Sequence, residues 1–406
     1  MALLLAGCGS SASSTSSKNN GPLTGLTKRV LVSNEATSSV IIVDAKRDAF
    51  SNKTMASTGA AKMVTASGFT VVQGIGAPII TMINNAQESV SATGNLLDVP
   101  TDVAISTDGT TAWAAVRNKS AVEAFDTTTG NIKTTVTSAF LGSASRLVMS
   151  PNGTKLLVFS DDTPSTFTVV DTASFNSVAF TATGLDHPFT GVFNGSETKA
   201  FILSCGAECG GAANGAGVME VDFSSVSFAP PPGAQPVALT PVAGPTAPGA
   251  ITGATVGLLS GSTLFVAGTP AGSSTGTLQS VDAGSLAVTN DGSIPNGEHL
   301  LMTMTSNNRL YVGASNCTVT PAGSNLVFGC LAVFDTSAHT ITIPPESSLR
   351  QNFNVTGLQP ISNRTVIYVL QGGELDIFDI TTNLPSTSIT QLDFIGNAVG
   401  VVQIDP

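Results

Sequence analysis

Eight times along this chain a short apolar run with Val or Ile in second place is followed by another apolar run that ends in Asp or Asn. The first runs begin at Leu31, Val71, Ala115, Leu157, Phe201, Phe265, Tyr311 and Tyr368; the second end at Asp44, Asn84, Asp126, Asp171, Asp222, Asp282, Asp335 and Asp379. Successive end points are separated by 40, 42, 45, 51, 60, 53 and 44 residues. A period of that size is one supersecondary unit that cannot bury its own apolar face, so the units must stack on one another.

The third unit shows what each repeat contains. Asp102–Ser106 alternates polar and apolar residues, Asp108-Gly109 makes a turn, and Ala112–Val116 follows. After the polar loop Arg117–Ser120 come Ala121–Phe125, the turn from Asp126 to Gly130, and Ile132–Val136. Four short strands, here A to D, form an antiparallel meander. The Asp that ends strand C has a physical task, because its carboxylate can accept backbone N–H groups two residues on and fix the C–D turn. The fourth unit repeats the pattern with Arg146–Ser150, Leu156–Val158 and Phe167–Asp171.

Composition agrees with an all-β chain. Only 11% of residues are charged and 5% aromatic, too few of the Leu, Glu, Lys and Arg that clothe exposed helices. The net charge of −11, from 27 acids scattered among 16 bases, argues against a nucleic-acid partner. No apolar stretch is long enough for a membrane-spanning helix.

Spacing and strand content together predict a single β-propeller of four-stranded antiparallel blades, with eight units counted. The strand-B segments Leu31–Asn34, Ala115–Asn118 and Tyr311–Ala314 resemble the Tyr-Val-Thr-Asn repeat of the YVTN-type β-propellers. That resemblance covers residues 28–405 and implies an exported, often surface-associated protein; seven blades, the common number in that family, is the alternative to eight. Unit one lacks a strand A before Lys28, whereas Asn397–Ile404 follows the last strand D. The C-terminal segment is therefore expected to pair into the first blade and close the ring, removing two exposed sheet edges.

At the other end, Leu5-Ala6-Gly7-Cys8 and the Ser-rich stretch after it resemble a bacterial lipobox with its tether. The resemblance implies lipidation of Cys8 and cleavage before it. It divides the chain into a signal-peptide remnant (1–7), a lipidated Cys with its tether (8–25) and the propeller (26–406). The apolar stretch before Cys8 is about half the usual length, as if the start codon had been placed too late. The expected location is the bacterial cell envelope, facing the periplasm or the surface, with contact to the membrane through the anchor only.

Function is expected at the departures from regularity. The B–C loops of units five and seven are long and carry Cys205, Cys209, Cys317 and Cys330. Four cysteines in an exported protein allow three pairings; Cys205–Cys209 and Cys317–Cys330 are favoured because each would staple one hairpin loop. A metal or redox site is disfavoured, since Cys-x-x-x-Cys has the wrong spacing and no His lies near it in sequence. Between units five and six a Pro-rich connection runs from Ala229 to Pro248 and should share a rim with the stapled loops.

Where the D–A loops meet strand A, the chain places Lys62, Asp102, Arg146, His187 and His299. That polar ring would hold a small ligand or an ion at the channel mouth, or would cap a water-filled channel. No nucleophile elbow, P-loop, zinc-protease or Rossmann motif is present, and the single Trp113 excludes Trp-docking repeats. No cofactor and no metal are expected. Two readings follow. The first is a monomeric, lipid-anchored scaffold that binds a protein or glycan through its stapled rim. The alternative is a periplasmic, lactonase-like hydrolase working at the channel mouth.

Overall fold

Strands form where short β-branched and aromatic runs are bounded by Asp, Asn and Gly turns. In the third unit they span Asp102–Ile105, Thr111–Val116, Ala121–Asp126 and Ile132–Thr137, within a residue or two of the sequence boundaries. The Asp residues do the work expected of them: Asp126 Oδ1 accepts the N–H groups of Thr128 at 3.0 Å and Thr129 at 2.8 Å. Those bonds, with the Thr129 backbone first among them, hold Asp126 below the usual carboxylate range. Equivalent bonds to Ser174, Ser285, Ala338 and Thr381 recur at Asp171, Asp282, Asp335 and Asp379.

The computed structural model describes residues 22–138, 141–224, 226–228, 236–239 and 241–405. Cys8, the signal-peptide remnant, most of the tether and the centre of the Pro-rich connection lie outside them. Among the described residues the helices are two short 3-10 turns, Arg117–Lys119 and Gly206–Cys209, and no helix is long and apolar enough to cross a membrane.

The described strands make nine sheets. The first takes Arg29–Asn34, Ser39–Asp44 and Ala49–Ala56 from one end of the chain and Ala398–Gln403 from the other. The C-terminal strand runs antiparallel to the first, with Val30 opposite Gln403 and Val32 opposite Val401. Four-stranded sheets begin at Ala60–Ala66, Asp102–Ile105, Val256–Ser260 and Glu298–Met304. The fourth unit has five strands because Val237–Ala238, from the Pro-rich connection, adds in parallel to Ser177–Thr181. The fifth unit has three, Pro188–Phe193, Lys199–Cys205 and Ala216–Asp222. The last has Val355–Pro360, Val366–Gln371 and Glu374–Asp379, with Leu384–Pro385 and Gln391–Leu392 both pairing onto Glu374–Asp379. A further three-stranded sheet combines Thr320–Gly323 and Leu326–Phe328, from the unit-seven loop, with Pro345–Ser347 from the connection beyond it.

The expected propeller of eight, or seven, uniform four-stranded blades closed as a ring is therefore corrected. Among the described residues the protein is all-β with nine sheets of three to five strands, antiparallel apart from the added Val237–Ala238, and no sheet closes into a ring or barrel. Two physical causes account for the departure. The Pro-rich connection cannot donate a regular ladder and lends its one short strand to the preceding sheet. The unit-seven loop, long enough to fold back on itself, builds a sheet of its own.

Neighbouring sheets pack through their first strands. Ala60–Ala66 lies against Asp102–Ile105, which lies against Ala144–Met149, and so on through Pro188–Phe193, Val256–Ser260, Glu298–Met304 and Val355–Pro360; Ala398–Gln403 lies between Val355–Pro360 and Ala60–Ala66. The core is a series of apolar slabs between sheets. Phe159, Phe167, Phe180, Ile202, Met219 and Phe223 fill one of them; Val30, Val43, Tyr368, Ile377 and Val401 fill another.

Candidate functional site

The first three members of the expected polar ring come together because they stand on adjacent first strands. Lys62 Nζ lies 2.5 Å from Asp102 Oδ1, and the other oxygen of Asp102 accepts the Leu147 N–H at 2.8 Å. Asp102 thereby bridges its two neighbours. Arg146 Nη1 lies 2.9 Å from Asp161 Oδ1, and Arg117 reaches the second oxygen of Asp161 at 2.7 Å. The Arg146 guanidinium sits 3.3 Å above the centre of the Phe189 ring. Burial lowers the Arg146 pKa, with Asp161 opposing, and the group stays charged.

The two histidines stand apart from that row. His187, at a positive φ of 55°, lies with Nδ1 2.7 Å from Asp186. Asp186 also accepts the Ala212 N–H at 2.7 Å, so the pair is tied to the loop after Cys209. His299 is a core residue. It is 1% exposed, and burial pushes its pKa down to about 4. As a neutral ring it donates from Nε2 to the Pro295 carbonyl at 3.0 Å.

The structure holds disulfides between Cys205 and Cys209 and between Cys317 and Cys330, with Cα atoms 5.7 and 5.5 Å apart. The first closes the turn Gly206–Cys209; the second closes the base of the hairpin Thr320–Phe328. A side chain that drew no notice in the sequence links them. Glu208, between the first two cysteines, accepts the Thr269 N–H at 2.9 Å through Oε1. The Thr269 hydroxyl donates to the Gly297 carbonyl at 2.9 Å. Gly297, at φ 110°, is so tight against the second loop that a Cβ there would stand 2.2 Å from the Ser315 carbonyl oxygen and 3.0 Å from the Cys317 nitrogen. The other Glu208 oxygen is buried without a partner, and burial raises this carboxyl to about 7. The only sequence signal for Glu208 was its place inside a five-residue loop, where a carboxylate has little to face but the adjoining loops.

Apolar side chains are exposed in and beside the second stapled loop and on other loops. Val319, Leu326 and Leu349 project from the sheet of the second stapled loop and its flank, Leu349 with 86% of its surface free, and Ile75, Leu97 and Ile395 lie on neighbouring loops. A cleft of about 370 Å³ is lined by Thr305, Gln359, Ile361, Ser362, Asn363 and Arg364 among others, at two A–B turns. No group of three or more His, Cys, Asp or Glu among the described residues is placed to hold a metal ion.

No family model matches the sequence, and no curated protein does. Solved structures do match in fold. A dihydro-haem d1 dehydrogenase, NirN, is 12% identical with a TM-score of 0.64, covering 95% of this chain and 79% of its own. Apo AztD from Citrobacter koseri is 11% identical, TM-score 0.58, covering 93% and 98%. The β-propeller domain of Cps50 (Swd1) from Myceliophteria thermophila is 10% identical, TM-score 0.53, covering 80% and 97%. The chain has a β-rich fold distantly related to propeller and repeat proteins. Identities this low speak to fold alone, and a specific YVTN-type family is not shown. What stands is a disulfide-containing, mostly-β protein whose distant likenesses include enzymes.

Proposed function

We propose that this protein is an exported, lipid-anchored binding scaffold that engages a protein or glycan through the face carrying its two stapled loops. The observation that carries this reading is the connection from Cys209 through Glu208, Thr269 and Gly297 to Cys317, which links the two stapled loops although they are far apart in sequence. Loops held rigid on a scaffold recognise partners at low entropic cost. The exposed Val319, Leu326 and Leu349 beside them supply apolar contact area. The charged row at Lys62, Asp102 and Arg146 supports a role in orientation, because Lys62 is already paired with Asp102 and Arg146 with Asp161. Lipidation of Cys8 would hold the scaffold at the cell envelope by acyl chains.

Three experiments test the reading. Pull-downs and glycan arrays with the full chain are compared with a variant in which Cys205, Cys209, Cys317 and Cys330 are all serine; retained partners would remove the stapled face from recognition. Membrane fractionation of Cys8→Ser tests the anchor, and a variant that stays in the membrane fraction overturns it. A panel of lactones is expected to be left intact by the parent chain.

A further inference from the structure

Beside the second staple lies a buried polar cluster that the stapled face does not use. Arg350 stands at its centre: Nε is 3.3 Å from Glu346 Oε2, Nη2 is 2.5 Å from Asp376 Oδ1, and Nη1 donates to the Gln371 carbonyl at 2.6 Å. Glu346 and Asp376 are both buried. Behind them stand the half-buried Glu374 and the exposed Asp393, both near enough to repel the charge on Asp376. One guanidinium thus answers for two buried carboxylates and two more at their backs.

The hydrogen bonds leave specific atoms unused. Glu346 Oε1 and Asp376 Oδ2 are buried and accept nothing, and neither atom of the Gln371 side-chain amide has a partner. Gln371 is wholly buried. Its register puts it on the face of the sheet that carries Glu374 and Asp376, and its amide and Glu346 both crowd Gly329, where a Cβ would stand 2.7 Å from Gln371 Nε2 and 3.4 Å from Glu346 Cγ. Because neither amide atom is engaged, a half-turn that presents the oxygen breaks no bond. Orphaned buried acceptors beside excess negative charge are costly unless something fills the gap.

We propose that this cluster is a cation site for a hard divalent ion of the calcium type, with Glu346, Asp376 and the Gln371 amide oxygen as its protein ligands. The donors are all oxygen, and the nearby sulfurs of Cys317 and Cys330 are committed to their disulfide, which disfavours zinc and other softer ions. Calcium accepts irregular sets of carboxylate, amide and water oxygens; magnesium demands a regular octahedron. The third protein donor is an amide, so the site lacks a three-carboxylate signature, and residues 346, 371 and 376 follow no loop motif. A bound ion would pin Pro345–Ser347, and with it the sheet of the second stapled loop, to Val366–Gln371 and Glu374–Asp379.

The test uses the full chain, stripped with chelator and held at pH 8 and constant ionic strength. Equilibrium dialysis and calorimetry are expected to show saturable uptake of one calcium per chain, with Kd of order 10⁻⁴ M or tighter. Melting should shift upward with calcium and less with magnesium. Glu346→Gln combined with Asp376→Asn should weaken uptake at least tenfold; Gln371→Leu, which leaves the ion pairs with Arg350 in place, should also weaken it. The proposal is overturned if the parent chain takes up no calcium, if magnesium or added sodium chloride reproduces the shift, or if Gln371→Leu and the double variant bind as the parent does. Should the double variant fail to fold, the parent and Gln371→Leu measurements decide.

Discussion

The Glu208 carboxylate accepts the backbone N–H of Thr269 at 2.9 Å, across 61 residues of sequence, with its second oxygen buried and unpartnered. This contact is sensitive to protonation. Burial raises the folded-state pKa from 4.5 to about 7, so the native state holds the proton more tightly than the unfolded chain. Stability is therefore fully present below pH 4.5 and is lost as pH rises to about 7. Glu208→Gln, neutral throughout, should be more stable than the parent at pH 8 by about 2 kcal/mol and equal to it near pH 4. Thermal melts at the two pH values check this; a variant equally destabilised at both would show that the carboxylate is merely structural.

Removing residues 398–405 should cost far more than trimming a tail. The strand Ala398–Gln403 covers the edge of Arg29–Asn34, and beyond it Asp405 pairs with the buried Arg29 at 2.6 Å. Its loss exposes that edge, empties part of an apolar slab and leaves Arg29 with Glu88 as its one carboxylate partner. A loss of about 5 kcal/mol or outright failure to fold is expected, summed from burial and hydrogen bonding. A truncated chain with an unchanged melting temperature would contradict it.

Asp48 joins the first sheet to the last. Its carboxylate pairs with both Nη atoms of Arg364 and accepts the buried Tyr368 hydroxyl at 2.5 Å. Asp48→Ala leaves a cation and a hydroxyl without their partner and should cost about 3 to 5 kcal/mol in urea unfolding. Tyr368→Phe removes only a hydroxyl that Asp48 can do without, and should cost about 1 kcal/mol.

Lys62 and Asp102 should respond unequally although they form one ion pair. The Lys62 side chain is nearly half exposed, so Lys62→Met should change stability by less than about 1 kcal/mol. Asp102 is buried and also holds the Leu147 N–H of the adjoining sheet, so Asp102→Ala should cost about 1 to 3 kcal/mol. Equal effects would mean that the inter-sheet bond contributes nothing.

Legibility in the sequence followed periodicity. Strands such as Ala121–Asp126 announced themselves through alternation and an Asp-initiated turn, and the orphan segment after Asn397 pointed to its partner because unit one lacked a strand. The sheet Thr320–Gly323, Leu326–Phe328 and Pro345–Ser347 had no such signal. Its strands are three or four residues long, two contain Pro, and their pairing crosses a unit boundary. Val237–Ala238 was hidden for the same reason. For the expected polar ring, residue type and strand position singled out Lys62, Asp102 and Arg146, which stand on adjacent first strands. They gave no sign that His299 is buried against Pro295 and Thr269, and passed over Glu208 and Gln371, each of which keeps a buried side-chain atom without a partner.

The sharing of the first sheet between the two ends of the chain also sets an order in time. Arg29–Asn34 is synthesised long before its partner strand Ala398–Gln403. Until then one edge of the early strand waits unpaired, and its slowest step is the closure of a loop almost as long as the chain. In refolding, the amides on that edge should be the last to gain protection from exchange, however early their own hairpin forms.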